Sequence, residues 1–166
     1  MKANRVKVVF IGCVEFSHEV LQSILKLKTI NVVGIITKKN SKFNSDFYSL
    51  SDFAKRHSIP CFIINKQDNK KVLMFVKSLN PELGFCIGWS NVLDSSILEI
   101  PNLGFIGYHP TDLPKNRGRH PIIWSLVLGL KETGSTFFIL NDGIDSGPIL
   151  SQLSVEISDH DDAASI

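Results

Sequence analysis

Residues 5–37 read RVKVVFIGCVEFSHEVLQSILKLKTINVVGIIT. Arg5 to Ile11 is a compact β-branched run ending at Gly12, the mark of a strand buried on both faces. Ser17 then offers a helix cap. Val20, Leu21, Ile24 and Leu25 recur at helical spacing, so Ser17 to Lys28 is predicted as an amphipathic helix. Ile30 to Thr37 is a second buried strand.

The alternation continues down the chain. Leu50 to His57 fits a short helix and Pro60 to Ile64 a third strand. Asp68 to Leu79 sets Val72, Leu73, Phe75, Val76 and Leu79 on one helical face, and Leu83 to Ile87 is a fourth strand. Asp94 caps a short helix through Leu98, and Gly104 to His109 is a fifth strand. Pro121 to Gly129 makes a helix whose proline sits near the first turn, where its missing N–H costs nothing. Ser135 to Leu140 and Ile149 to Ile157 read as a hairpin across the loop Asp142 to Gly147. Strand–helix alternation predicts an α/β, Rossmann-like fold, a mostly parallel sheet with helices on both faces. Such sheets bind ligands at the carboxyl ends of their strands, here the segments after Ile11, Ile87 and Tyr108.

The 166 residues suit one domain with a single core. Hydrophobic residues make up 43% and charged residues 20%, a globular and not a disordered composition. A net charge of +2 without a long Lys/Arg run gives no footprint for nucleic acid. Lys38 to Phe47 reads as a mobile loop, with Lys38, Lys39 and Lys42 a solvated cluster. The three cysteines, Cys13, Cys61 and Cys86, lie in or beside apolar runs, as small hydrophobes in a reducing compartment. The five histidines show no metal-ligand spacing with them, so no metal is expected. No stretch approaches a membrane span and the start is not a signal peptide, so the expected location is cytoplasmic.

The first loop, Gly12-Cys-Val-Glu-Phe-Ser17, has one glycine where a dinucleotide fingerprint needs three. Amides at the helix start can hold a phosphate or another anion, making Gly12 and Cys13 candidate substrate-binding residues. Equally, Gly12 simply lets the chain turn.

The informative stretch is Gly104 to Gln152, GFIGYHPTDLPKNRGRHPIIWSLVLGLKETGSTFFILNDGIDSGPILSQ. His109 leaves a strand end, on the same side as position 107, and Asp145 lies between Gly143 and Gly147. An imidazole and a carboxylate can position each other and move a proton near neutral pH. A strand-end histidine and an aspartate in a glycine turn can also be purely structural.

His109-Pro110, Leu113-Pro114, Arg117-Gly118, Glu132-Thr133-Gly134, Thr136 and Asp145-Ser-Gly147 occur in one order. That order resembles the folate-dependent formyltransferases, which include methionyl-tRNA, glycinamide ribonucleotide and nucleotide-sugar members. The resemblance covers nearly the whole chain. Arg117-Gly-Arg-His-Pro121 followed by Trp124 looks most like the sugar-modifying branch.

The resemblance implies that residues 1–166 are a formyltransferase catalytic domain, with 10-formyltetrahydrofolate as formyl donor. It implies that His109 polarises the formyl oxygen and that Asp145 orients His109 or a water and helps take the proton of the attacking amine. It also implies that the pterin lies against Trp89, Asn91, Val92 and Leu93 and against the loop Leu140, Asn141, Asp142 and Gly143. Val92 and Leu93 read equally well as core. Arg117 and Arg119 are candidate substrate-binding residues, since an arginine fork suits a sugar phosphate or pyrophosphate. His120 and Trp124 are expected to be loop packing and core.

One position departs from the family pattern. The motif's Asn falls at Gly107, and losing one oxyanion donor typically costs roughly 100- to 1000-fold in rate. Asn116 is a candidate replacement or an ordinary turn residue. The acceptor expected first is a nucleotide-linked amino sugar for surface polysaccharide, with no nucleic acid or membrane partner and a homodimer among the expected assemblies. The alternatives are initiator methionyl-tRNA and a non-catalytic folate- or nucleotide-binding fragment. The tail from Ser158 looks like a cap leading into a helix that should follow, so a truncated C-terminus is expected.

Overall fold

The apolar runs become seven strands and the amphipathic runs five helices in a computed structural model that describes residues 5–41, 45–66 and 68–166. In chain order these are β1 Val6–Gly12, α1 Glu15–Leu25, β2 Ile30–Lys38, α2 Ser51–Arg56, β3 Cys61–Ile64 and α3 Asn69–Leu79. There follow β4 Leu83–Ile87, α4 Ser95–Leu98, β5 Phe105–His109, α5 Pro121–Val127, β6 Glu132–Ile139 and β7 Ile149–Glu156. The strand order is β3-β2-β1-β4-β5-β6-β7. This is the mostly parallel α/β sheet that the strand–helix alternation predicts. The chain divides into two compact units, Met1–Ile106 and Gly107–Ile166.

In the first unit, β1 pairs in parallel with β2 and β4, and β2 with β3. Val8, Val9, Phe10 and Ile11 are fully buried because a parallel strand is covered on both faces. Reversal of strand order beside β1 creates a switch point, and the carboxyl ends of β1 and β4 flank it. Helix α1 buries Ser17, Leu21 and Ile24, spaced four and three apart.

Ser17 is not the cap of that helix. The chain enters at Val14, and the Ser17 hydroxyl accepts the Val14 N–H at 3.2 Å while donating to the Ile87 carbonyl at 2.6 Å. One buried hydroxyl thus satisfies an orphan amide at the helix start and ties α1 to the end of β4. Asp94 likewise precedes α4 without a side-chain cap bond; its carboxylate accepts from Asn69 Nδ2 at 2.6 Å. Asp68 does cap α3, accepting the Lys71 N–H at 3.1 Å. Lys38 closes β2 and sets its ammonium 4.8 Å from the centre of the Trp89 ring, so it is not part of a solvated loop. Lys42 lies outside the described residues.

In the second unit, β6 and β7 form the expected hairpin, antiparallel from Glu132↔Glu156 to Phe138↔Ile149. β6 starts three residues earlier than its apolar pattern suggests, since β7 pairs that far. Residues 158–166 form turns; Asp162 Oδ1 accepts the Ala164 and Ser165 amides there. All three cysteines are free. Burial pushes the thiol pKa of Cys13 and Cys61 up to about 11 and that of Cys86 to about 12.

Candidate active site

The second unit brings His109 and Asp145 together. His109 ends β5, is 7% exposed, and lies on the buried side that also carries Phe105 and Gly107. Its Nε2 is 3.6 Å from Asp145 Oδ2 and 3.3 Å from the Asn116 carbonyl oxygen. Both neighbours are acceptors, which assigns the proton to Nε2. Asp145 Oδ2 also accepts the Gly118 N–H at 2.9 Å. One carboxylate oxygen therefore holds the 116–119 loop and faces the imidazole.

Local chemistry explains why Asp145 arrives there. Asn141 Oδ1 accepts from the Gly143 N–H and the Ser146 hydroxyl, both at 3.0 Å, folding an Asx-type turn. Asp145 adopts φ +47°, a left-handed conformation that aspartate tolerates better than most residues. A Cβ on Gly147 would stand 1.7 Å from the Ile139 carbonyl oxygen, so only glycine closes the turn onto β6.

The Glu132-Thr133-Gly134-Ser-Thr136 segment is a scaffold for the loop after His109. Thr136 Oγ1 donates to the Thr111 carbonyl at 2.6 Å. Thr111 Oγ1 donates to the Lys115 carbonyl at 2.7 Å. Gln152 Nε2 donates to Thr136 Oγ1 and the Leu113 carbonyl, at 2.8 and 2.9 Å. A Cβ at Gly134 would lie 2.5 Å from Thr111 and Asp112 backbone atoms. The motif thus fixes backbone, and Gln152 is a positioning residue that the motif alone does not reveal.

Gly107 is filled from outside. A Cβ there would stand 2.5 Å from Leu140 Cδ2 and 3.2 Å from Phe138 Cε1. Leu140 occupies the space that a side chain at position 107 would need. Asn116, at φ +53°, meets His109 through its backbone carbonyl. Asn116 is exposed and lines an open depression with Arg117, Arg119, His120, Trp124 and Leu128. Trp124 is 54% exposed and His120 is exposed as the residue before α5, so neither is core. Asn141, Asp142 and Gly143 are exposed at the loop tip.

In the first unit, Gly12 and Cys13 have packing roles. A Cβ on Gly12 would stand 2.6 Å from the Ile87 carbonyl oxygen and 2.7 Å from the Ser17 side chain. Cys13 is fully buried, with Sγ 3.4 Å from the Gly88 carbonyl. The Glu15 amide at the helix start donates to the Asp46 carbonyl at 3.0 Å. After β4, Val92 is 73% exposed whereas Leu93 is 6% exposed, so Leu93 is core and Val92 is not. Trp89 Nε1 is buried and has no hydrogen-bond partner among the described residues. A buried indole N–H without an acceptor is costly, and it fits a ligand acceptor beside it.

Among the described residues, no three His, Cys, Asp or Glu side chains could hold a metal ion. No described helix is long and apolar enough to cross a membrane.

Residues 5–166 match the formyl transferase family, in its N-terminal domain. The methionyl-tRNA formyltransferase of Thermodesulfovibrio yellowstonii is 32% identical over 163 residues, covering 96% of this chain and 53% of that protein. That of Thermotoga neapolitana is 33% identical over 155 residues, covering 91% and 49%. The chain therefore spans about half the length of these curated relatives. Among solved structures, phosphoribosylglycinamide formyltransferase from Bacillus halodurans has the same fold, with a TM-score of 0.82 at 20% identity, covering 96% of this chain and 84% of that one. A formyltetrahydrofolate deformylase from Pseudomonas syringae pv. tomato also gives 0.82, at 19% identity, covering 98% and 55%. With the match running from the first strand to the last residue, the chain belongs to the formyl transferase family.

Proposed function

We propose that this chain carries the catalytic centre of an N-formyltransferase that moves a formyl group from 10-formyltetrahydrofolate to the amine of a nucleotide-linked amino sugar. The observation that carries formyl transfer is the convergence of His109 Nε2 and Asp145 Oδ2 at 3.6 Å, from positions far apart in the chain. The donor supplies the formyl carbon, and its N10 is the leaving group. His109 presents Nε2–H as a donor to the formyl oxygen as negative charge develops there. Asp145 orients that imidazole and accepts the proton released when the amine lone pair attacks the formyl carbon. The proton is then available to the departing nitrogen. Trp89, with its unpartnered N–H, and the exposed Val92 suit a heteroaromatic ring such as the pterin. Three free, protonated thiols suit a reducing, cytoplasmic setting.

The sugar reading is supported by Arg117-Gly-Arg-His-Pro121 and the exposed Trp124 beside it. A second reading, methionyl-tRNA as acceptor, is favoured by the relatives, which are methionyl-tRNA formyltransferases. Incubation with 10-formyltetrahydrofolate and either a dTDP- or UDP-linked amino sugar or aminoacylated initiator tRNA separates them by mass spectrometry. Formylated sugar supports the first reading and formylmethionyl-tRNA the second. No formylated product in either mixture overturns both.

A further inference from the structure

The open depression in the second unit has a volume of about 430 Å³ and is lined by Asn116, Arg117, Arg119, His120, Trp124 and Leu128. That volume is within the range of small-molecule sites. Its lining pairs an aromatic face with fixed positive charge. Trp124 is half exposed, and among the described residues no carboxylate lies within salt-bridge distance of Arg117 or Arg119. The segment between the arginines is pinned, because the Gly118 N–H donates to Asp145 at 2.9 Å. Gly118 sits at φ +107°, where a side chain would be strained. The depression also adjoins the chemistry. Asn116 is one of its lining residues, and the Asn116 carbonyl oxygen lies 3.3 Å from His109 Nε2.

We propose that this depression is the nucleotide subsite of the acceptor, with the base stacked on Trp124 and the diphosphate held by Arg117 and Arg119. This rests on the reading of the acceptor as nucleotide-linked. Guanidinium forks match phosphate oxygens in pairs, and every base has a face that stacks on indole. Two arginines suit a diphosphate. A nucleic-acid strand calls for a longer basic track, which a net charge of +2 and the absence of a Lys/Arg run do not supply.

The test titrates the intact protein with dTDP, UDP, the parent nucleosides and a single-stranded RNA fragment by calorimetry, and measures formylation of the amino sugar in parallel. The diphosphates bind, and Trp124→Ala weakens them by about tenfold while Trp124→Phe restores most of the affinity. Arg117→Gln with Arg119→Gln removes the preference for diphosphate over nucleoside. In the transfer reaction these variants raise the acceptor KM more than they lower kcat. Unchanged nucleotide affinity and unchanged acceptor KM in a folded Trp124→Ala protein overturn the subsite while sugar formylation still stands. RNA binding tighter than dTDP also overturns it, in favour of a nucleic-acid surface. Absence of both nucleotide binding and sugar formylation removes the acceptor reading together with the subsite.

Discussion

Gly107 stands where the sequence resemblance leads one to expect Asn, and Leu140 fills the room that a side chain there needs. A Cβ on residue 107 meets Leu140 Cδ2 at 2.5 Å and Leu140 Cγ at 3.1 Å, inside the usual carbon contact distance of about 3.5–4.0 Å. Gly107→Asn alone therefore displaces Leu140, an overpacking cost of about 1–3 kcal/mol. Leu140→Ala removes both atoms and leaves the Phe138 ring edge at 3.2 Å as the remaining close contact. The double variant should recover most of the single variant's loss, a coupling of about 1–2 kcal/mol in a double-mutant cycle. Its new amide projects to the same side as His109. If it reaches the developing oxyanion, transfer in the double variant runs roughly 100- to 1000-fold faster than in Leu140→Ala. Urea denaturation of the four proteins reads the coupling, and single-turnover formyl transfer reads the donor. Additive stabilities would refute the packing argument. A coupled but no faster double variant would refute the assignment of position 107 as a donor site.

Three further outcomes follow from the described geometry. Ser17→Ala removes the buried bond to the Ile87 carbonyl and the acceptor for the Val14 amide, so denaturation should show a loss of about 1–3 kcal/mol. Asp145→Ala frees the Gly118 amide, whose hydrogen exchange should rise by about tenfold, while Asp145→Asn keeps an acceptor and should leave exchange close to wild type. The thiol of Cys13 has its pKa raised from 9.0 to about 11 in the folded chain, so the unfolded state ionises first. Its contribution is constant below pH 9 and then declines by up to about 1.4 kcal/mol per pH unit until pH 11. Urea titrations in reducing buffer should show a shallower alkaline decline in Cys13→Ala than in wild type.

Much of the sheet was legible because parallel strands covered on both faces read as continuous apolar runs, as in VKVVFI and INVVGIIT. Two of the places where local rules failed share one cause, a polar side chain whose partner is remote in sequence. Ser17 looks like a cap, yet its hydroxyl is committed to Ile87, and Asp94 looks like a cap, yet its carboxylate is committed to Asn69. No local pattern reveals those partners. The pairing of His109 with Asp145 followed from the family resemblance, since spacing alone left both residues with ordinary structural readings. That Leu140 fills the space beside Gly107, that Thr136 and Gln152 hold the loop after His109, and that Trp124 faces solvent all depend on tertiary packing. No local sequence pattern encodes that packing.

The most direct measurement is single-turnover formyl transfer by the intact protein and its His109→Ala variant, with melting curves run on both. The variant is expected to lose at least about 100-fold in rate with its fold retained. Equal rates in two equally folded proteins would contradict that expectation.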